Sequence, residues 1–187
     1  VHWSPSSRTA LAEAELEYPD GHSSPSIYFS FPVLSLPENL KDTLASKGLD
    51  LPNDKEALSK ILHAAVWTTT PWTIPANLAV SVNESLDYVF AEDGRGRLLL
   101  IADELLAPLS ETLQLPLRSC GSVKGAALAG ISYRHPLLDR EGEVLLGGDY
   151  ITTESGTGLV HTAPGHGVDD FNTGRKYGLP ILCPVDE

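Results

Sequence analysis

The chain has 187 residues, 42% of them apolar and 20% charged, and a formal net charge of −12. This balance excludes a disordered chain and is enough for one domain with its own core, while an acidic chain with no basic cluster argues against tight binding of DNA or RNA by the chain alone. No apolar run approaches the roughly 20 residues that span a bilayer, and the two cysteines, Cys120 and Cys183, suit a reducing compartment better than a disulfide framework.

The first residues lack the basic start and apolar core of a signal peptide. Methionine is absent, even at position 1, so a piece of a longer protein is expected. Thr9–Glu17 is alanine-rich and acidic: a short helix, or an extended arm with Leu11, Ala12 and Leu16 packed. Ser26–Leu34 ("SIYFSFPVL") is rich in β-formers and predicts a strand. From Leu36 to His63 apolar residues fall at helical spacing (Leu40, Leu44; Leu58, Ile61, Leu62), and Pro52, Asn53 and Asp54 divide the stretch into two helices.

"AAVWTTT" predicts a buried strand that Pro71 stops. "LAVSV" and "LDYVFAE" are strands separated by a turn at Asn83–Glu84, and Asp93–Gly96 is a hairpin turn into the strand "RLLLIA". A helix follows over "DELLAPLSETLQ", capped by Asp103. Further strands are expected at "RSCGSVKG", Val144–Leu146, Tyr150–Thr153 and Leu159–Thr162. The last helix starts at Val168 and ends at Gly178. Short strands outnumber helices, which predicts an α+β or mixed α/β fold: a curved or closed, barrel-like sheet with a few peripheral helices.

Two stretches can carry chemistry. In "WTTTPWTIPAN" (Trp67–Asn77), strand alternation puts Thr68 and Thr70 on one face and Thr69 on the other. The proline then turns the chain out of the sheet, so the hydroxyls either satisfy one another in a core strand or face a site. In "GTGLVHTAPGHGVDDF" (Gly156–Phe171), Asp169 and Asp170 fall in the first helical turn, where carboxylates are favoured as anions. Either both cap the helix and His161 is a core histidine, or one aspartate faces a pocket and pairs with an ammonium group. Zinc-site spacing is missing among His161, His166 and Cys183. A P-loop, a dinucleotide fingerprint and a nucleophile elbow are also missing.

Together these stretches closely resemble the editing domain of isoleucyl-tRNA synthetase. The family's Thr-Thr-Thr-Pro-Trp-Thr segment is matched at Thr68–Thr73, and its His-Thr-Ala-Pro-Gly-His-Gly-x-Asp-Asp loop at His161–Asp170. "WSPSSRTALAEAELEY" and "KYGLPILCPVDE" also look familial. The sibling domains for valine and leucine typically carry arginine where Thr70 stands. The resemblance covers most of the chain. It implies one editing domain over residues 1–187, with 1–25 and 179–187 as arms to a host catalytic domain and nearby termini. Residues 36–63 look like a lineage-specific insertion.

The resemblance further implies hydrolysis of valine mischarged on isoleucine tRNA after transfer, with editing before transfer as a further reading. A valyl- or leucyl-type editing domain, or a non-catalytic module docking the tRNA 3′ end, are the alternatives. Thr68, Thr69, Thr70 and Asp170 would be catalytic. Trp72, His161, Thr162 and Asp170 would bind substrate, with Asp170 on the ammonium and His161 and Trp72 bounding the side-chain pocket. The family's ATP-site motifs are absent, so no cofactor and no metal is expected in this piece, with ATP used by the absent catalytic domain. The expected partners are the tRNA 3′ end and the rest of the synthetase, not DNA or a membrane. The expected location is the cytoplasm or an organelle interior.

Overall fold

A computed structural model describes residues 2–21 and 23–184. Strands β1 (His2–Ser4) and β2 (Thr9–Leu11) form a separate antiparallel ribbon. The remaining elements are β3 (Ile27–Ser35), α1 (Glu38–Ser46), α2 (Lys55–Ile61), β4 (Leu62–Thr68), a 3-10 turn at Pro71–Ala76, β5 (Ala79–Val82), β6 (Asp87–Glu92), β7 (Leu98–Ala102), α3 (Leu106–Leu113), β8 (Arg118–Lys124), β9 (Ser132–Arg134), β10 (Glu141–Leu146), β11 (Val160–Thr162) and α4 (Val168–Tyr177), with shorter 3-10 segments between some of them.

One nine-stranded sheet runs β11-β5-β10-β9-β3-β4-β7-β6-β8. The pairs β5–β10 and β4–β7 are parallel and the others antiparallel. The class is therefore mixed α/β with few helices, as expected. The closed form of the expectation is not met, because β11 and β8 each have a single neighbour among the described residues.

Local sequence explains the central strands. β7 ("LLLIA") is buried at every residue, the continuous apolar run of a strand covered on both faces. β3 pairs with β4 up to Pro32 and with β9 from Val33 onward. A proline has no N–H to donate, so it sits where the strand changes partners. Behind the sheet, Leu40 and Leu44 of α1 and Leu58 of α2 are buried, and the Asp54 side chain accepts from Ala57 N at 2.8 Å to start α2. Residues 36–63 thus contribute to the core.

Several expectations need correction. Thr9–Glu17 is β2 followed by a 3-10 turn, with Leu11 and Leu16 half-buried and Ala12 exposed. Tyr150–Thr153 is irregular, and β9 was not expected. Asp103 caps nothing: its 3-10 turn is preceded by Ala102, with no side-chain cap. Residues 1 and 185–187 lie outside the described residues, and with them the expected closeness of the termini. No described helix is long and apolar enough to cross a membrane.

The 150–159 loop is fastened onto β7 by Ala102 N donating to Thr157 O at 2.8 Å. Gly158 has φ +78°, and a Cβ on it would run into that of Ala102. Gly158→Ala should therefore destabilise the fold by about 2–5 kcal/mol through left-handed strain plus overpacking. Gly48 has φ +85° with open space around it, so Gly48→Ala should show only the strain, about 1–2 kcal/mol. Urea unfolding of the two variants separates the terms; equal losses would contradict a tight loop–sheet contact.

Candidate functional site

The site begins where β4 ends. The Thr68 hydroxyl accepts from Thr70 N at 3.0 Å and lies 3.2 Å from the Thr70 hydroxyl, which folds the chain back after one residue. Pro71 then opens the 3-10 turn, where its missing N–H costs nothing. Thr73 N and Oγ1 both donate to Thr70 O, at 3.0 and 2.8 Å. The hydroxyl-rich segment is therefore a compact turn, held by the hydroxyls that composition left unexplained.

His161, on β11, meets this turn from across the sheet. Asn77 Nδ2 donates to Ala79 O at 2.7 Å and to His161 Nδ1 at 3.0 Å. The Ala79 carbonyl can only accept, so the amide orientation is fixed, and the imidazole proton sits on Nε2. From there it is donated to Thr73 Oγ1 at 2.8 Å. The Tyr133 hydroxyl closes the network on Asn77 Oδ1 at 2.7 Å. Burial, with His135 and His166 nearby, pushes the His161 pKa down to about 4. The ring is neutral at physiological pH and engaged on both nitrogens. It can form a wall; it is not free to shuttle protons.

Asp170 sits in the first turn of α4, its carboxylate against the Cβ-less Gly167. Burial first, and Asp169 to a lesser extent, raise its pKa to about 6, while the Ala163 backbone N–H holds it down. Neither aspartate caps the helix, since Gly167 precedes it without a side-chain bond. Asp169 is exposed.

Two cavities open beside these residues. One of about 190 Å³ is lined by Thr68, Thr70, Thr73, His161, His166 and Asp170, with Trp67, Val160 and Ala163. A larger one of about 290 Å³ is lined by Thr68 and Thr69 and by the loop from Tyr150 to Leu159. Trp67, Thr68 and Val160 belong to both. Thr70 thus faces one space, Thr69 the other and Thr68, the last residue of the strand, both.

The structure brings Thr68, Thr70, His161 and Asp170 together and sets Thr69 next door. Trp72 is 59% exposed and lines neither cavity; the indole between the cavities is Trp67. Thr162 is fully buried with its hydroxyl 2.6 Å from Ser81 Oγ, away from both. Sequence reasoning missed Trp67, Asn77 and Tyr133. Strand parity carried a signal for Trp67, which shares a face with Thr69. Tyr133 is brought in by the unexpected β9. No group of three or more metal-ligating side chains occurs among the described residues.

Comparison with known proteins gives two concordant results, although no family model matches. The chain is 67% identical over 187 residues to an isoleucine--tRNA ligase of Parasynechococcus marenigrum (strain WH8102). It is 68% identical to that of Prochlorococcus marinus (strain MIT 9313) and 56% to that of Thermosynechococcus vestitus. In each case all of this chain aligns, with 19% of the relative. Among solved structures it superposes on GlLeuRS-CP1 with a TM-score of 0.61 at 17% identity, covering 83% of this chain and 66% of that one. It superposes on the editing domain of the P. knowlesi cytosolic leucyl-tRNA synthetase with 0.57 at 14%, covering 87% and 68%. The chain spans about a fifth of the length of the relatives it matches; its sequence is similar to one segment of isoleucine--tRNA ligases, and its fold to that of leucyl-tRNA synthetase editing domains.

Proposed function

We propose that this chain hydrolyses valine esterified to isoleucine tRNA, as the editing domain of an isoleucyl-tRNA synthetase. The observation that carries this is the smaller cavity: one carboxylate, a doubly tethered neutral imidazole, a second histidine (His166) and threonine hydroxyls, with no cysteine or serine in its lining and no metal cluster among the described residues. Such a set suits an α-amino ester, which brings its own ammonium and its own labile bond.

Asp170 takes the ammonium through a charge-assisted contact, about twice as strong as a neutral hydrogen bond. His161 and Val160 face the amino-acid side chain. Because His161 is held on both nitrogens, this wall does not yield to a further methylene, and overpacking rejects isoleucine. The terminal adenosine takes the larger cavity, where the loop turns at Gly156 (φ +77°) beside the Trp67 ring. The ester then lies at Thr68, common to both spaces. Hydroxyls there place a water whose oxygen bonds to the ester carbonyl carbon while the bond from that carbon to the ribose oxygen breaks; a water proton passes to the ribose oxygen, and valine and tRNA leave. Trp72 and Thr162 take no direct part.

A second sieve is needed because one methylene in an apolar pocket is worth only about 1–3 kcal/mol; isoleucine against valine is the standard illustration of this limit. ATP use belongs to the remaining four-fifths of the synthetase, as does holding the tRNA body, which fits the acidic charge of this piece. The reaction would take place in the cytoplasm or an organelle interior. Residues 36–63 align in the relatives too, as an insertion shared within that lineage would. Deacylation by the full-length synthetase tests the proposal. Valyl-tRNA for isoleucine should be hydrolysed at least about 100-fold faster than isoleucyl-tRNA; equal rates, or a preference for threonyl-tRNA for valine, would refute it.

A further inference from the structure

The 3-10 turn that carries Thr73 is held from two sides. Thr70, His161 and Asn77 hold the side toward the cavity. The other side is gripped by the β9–β10 hairpin, which closes on itself through His135 N to Arg140 O and Arg140 N to Leu138 O, both 2.8 Å. His135 is buried, and its Nδ1 accepts from Leu137 N and Leu138 N at 3.1 Å each. The proton is therefore on Nε2, which donates to Ile74 O at 2.8 Å. Arg140 donates a guanidinium N–H to Pro75 O at 2.7 Å.

This is a costly way to secure a turn. Arg140 Nε is buried without a partner, and an underpaired guanidinium in such a place is commonly outperformed in stability by an apolar residue of similar size. A contact made at that cost, reaching the carbonyls one and two residues beyond Thr73, fixes position. We propose that His135 and Arg140 are positioning residues for ester hydrolysis, clamping Ile74 O and Pro75 O so that Thr73 holds the His161 ring at the cavity wall; this rests on the editing function proposed above. Displacement of a site by about 1 Å can cost up to about 100-fold in rate, so the clamp acts on kcat more than on binding.

The test uses the full-length synthetase with His135→Ala, Arg140→Met and His135→Gln, the last keeping an N–H able to reach Ile74 O. Hydrogen exchange of a peptide covering 70–77 reads the turn, whose amides Thr73 and Asn77 donate within it; residues 98–102 of β7 serve as the control. In His135→Ala and Arg140→Met, exchange at 70–77 should quicken by about tenfold or more with β7 unchanged. The kcat on valyl-tRNA should fall about 10- to 100-fold, with KM within about twofold. His135→Gln should recover most of both. Unchanged exchange, or unchanged kcat despite faster exchange, overturns the clamp. A wild-type enzyme that does not hydrolyse valyl-tRNA overturns the editing function instead, and exchange still decides whether the clamp holds the turn.

Discussion

Asp170→Asn should lower kcat/KM for valyl-tRNA deacylation by about 100-fold or more while making the protein more stable at neutral pH. On the proposed editing function, the rate loss follows from removing the one carboxylate that lines the smaller cavity; truncating one side of a desolvated charge pair costs about 2–5 kcal/mol. The gain in stability follows from the same burial. Folding raises the carboxyl pKa from 3.8 to about 6, so the native state prefers the neutral acid. The stability that goes with this preference is complete below pH 3.8 and is lost as the pH rises through 6. Asparagine resembles the neutral form and removes the cost. Discounted for the partial exposure of the side chain, the gain is on the order of 1 kcal/mol. Wild-type activity should fall as the pH drops through 6, with about a tenth of the carboxylates ionised at pH 5. His161, with its pKa near 4, adds nothing to the profile above that. A variant both inactive and less stable would show that Asp170 serves the fold instead.

Asn77→Ala should damage both stability and selectivity, although Asn77 lines neither cavity. The amide serves three partners: the Tyr133 hydroxyl, the Ala79 carbonyl and His161 Nδ1. Tyr133 is fully buried and His161 nearly so, so neither recovers its bond from water. At about 1–3 kcal/mol for a buried polar group left unsatisfied, and with some relaxation, the loss of stability should be about 2–4 kcal/mol. The ring is then free to turn, and discrimination against isoleucine should shrink together with the rate. Urea unfolding and deacylation of both charged tRNAs measure the two effects. A variant that unfolds earlier yet rejects isoleucine as strictly as wild type would contradict the role of this network in fixing the wall.

What the sequence made legible is what local chemistry determines. The apolar run of β7, the paired helices at 36–63 with their Pro-Asn-Asp break, and α4 with its left-handed Gly178 all follow from periodicity and caps. The grouping of Thr68, Thr70, His161 and Asp170 was reachable only through family resemblance, because β11 and β4 are far apart in the chain and register between distant strands leaves no local mark. For the same reason β9 and Tyr133 went unseen: a three-residue strand is too short to show alternation. Tyr150–Thr153 shows the converse. Its β-forming residues close a cavity, and loop tethering overrode their propensity. Trp72 was assigned to the pocket wall by its place in a motif, whereas strand parity at Trp67 marked the indole that lies between the two cavities.

In the proposed function the Asp170 carboxylate receives the amino group of a valine attached to the terminal adenosine. Isothermal titration of a non-hydrolysable 3′-valylamino adenosine, and of its analogue lacking the α-amino group, tests this directly when done on wild type and on Asp170→Asn. In wild type the amine should strengthen binding by about 30-fold or more, a coupling of about 2 kcal/mol, and in Asp170→Asn the two ligands should bind alike. Equal affinities in wild type, or an amine preference that survives the substitution, would contradict the account.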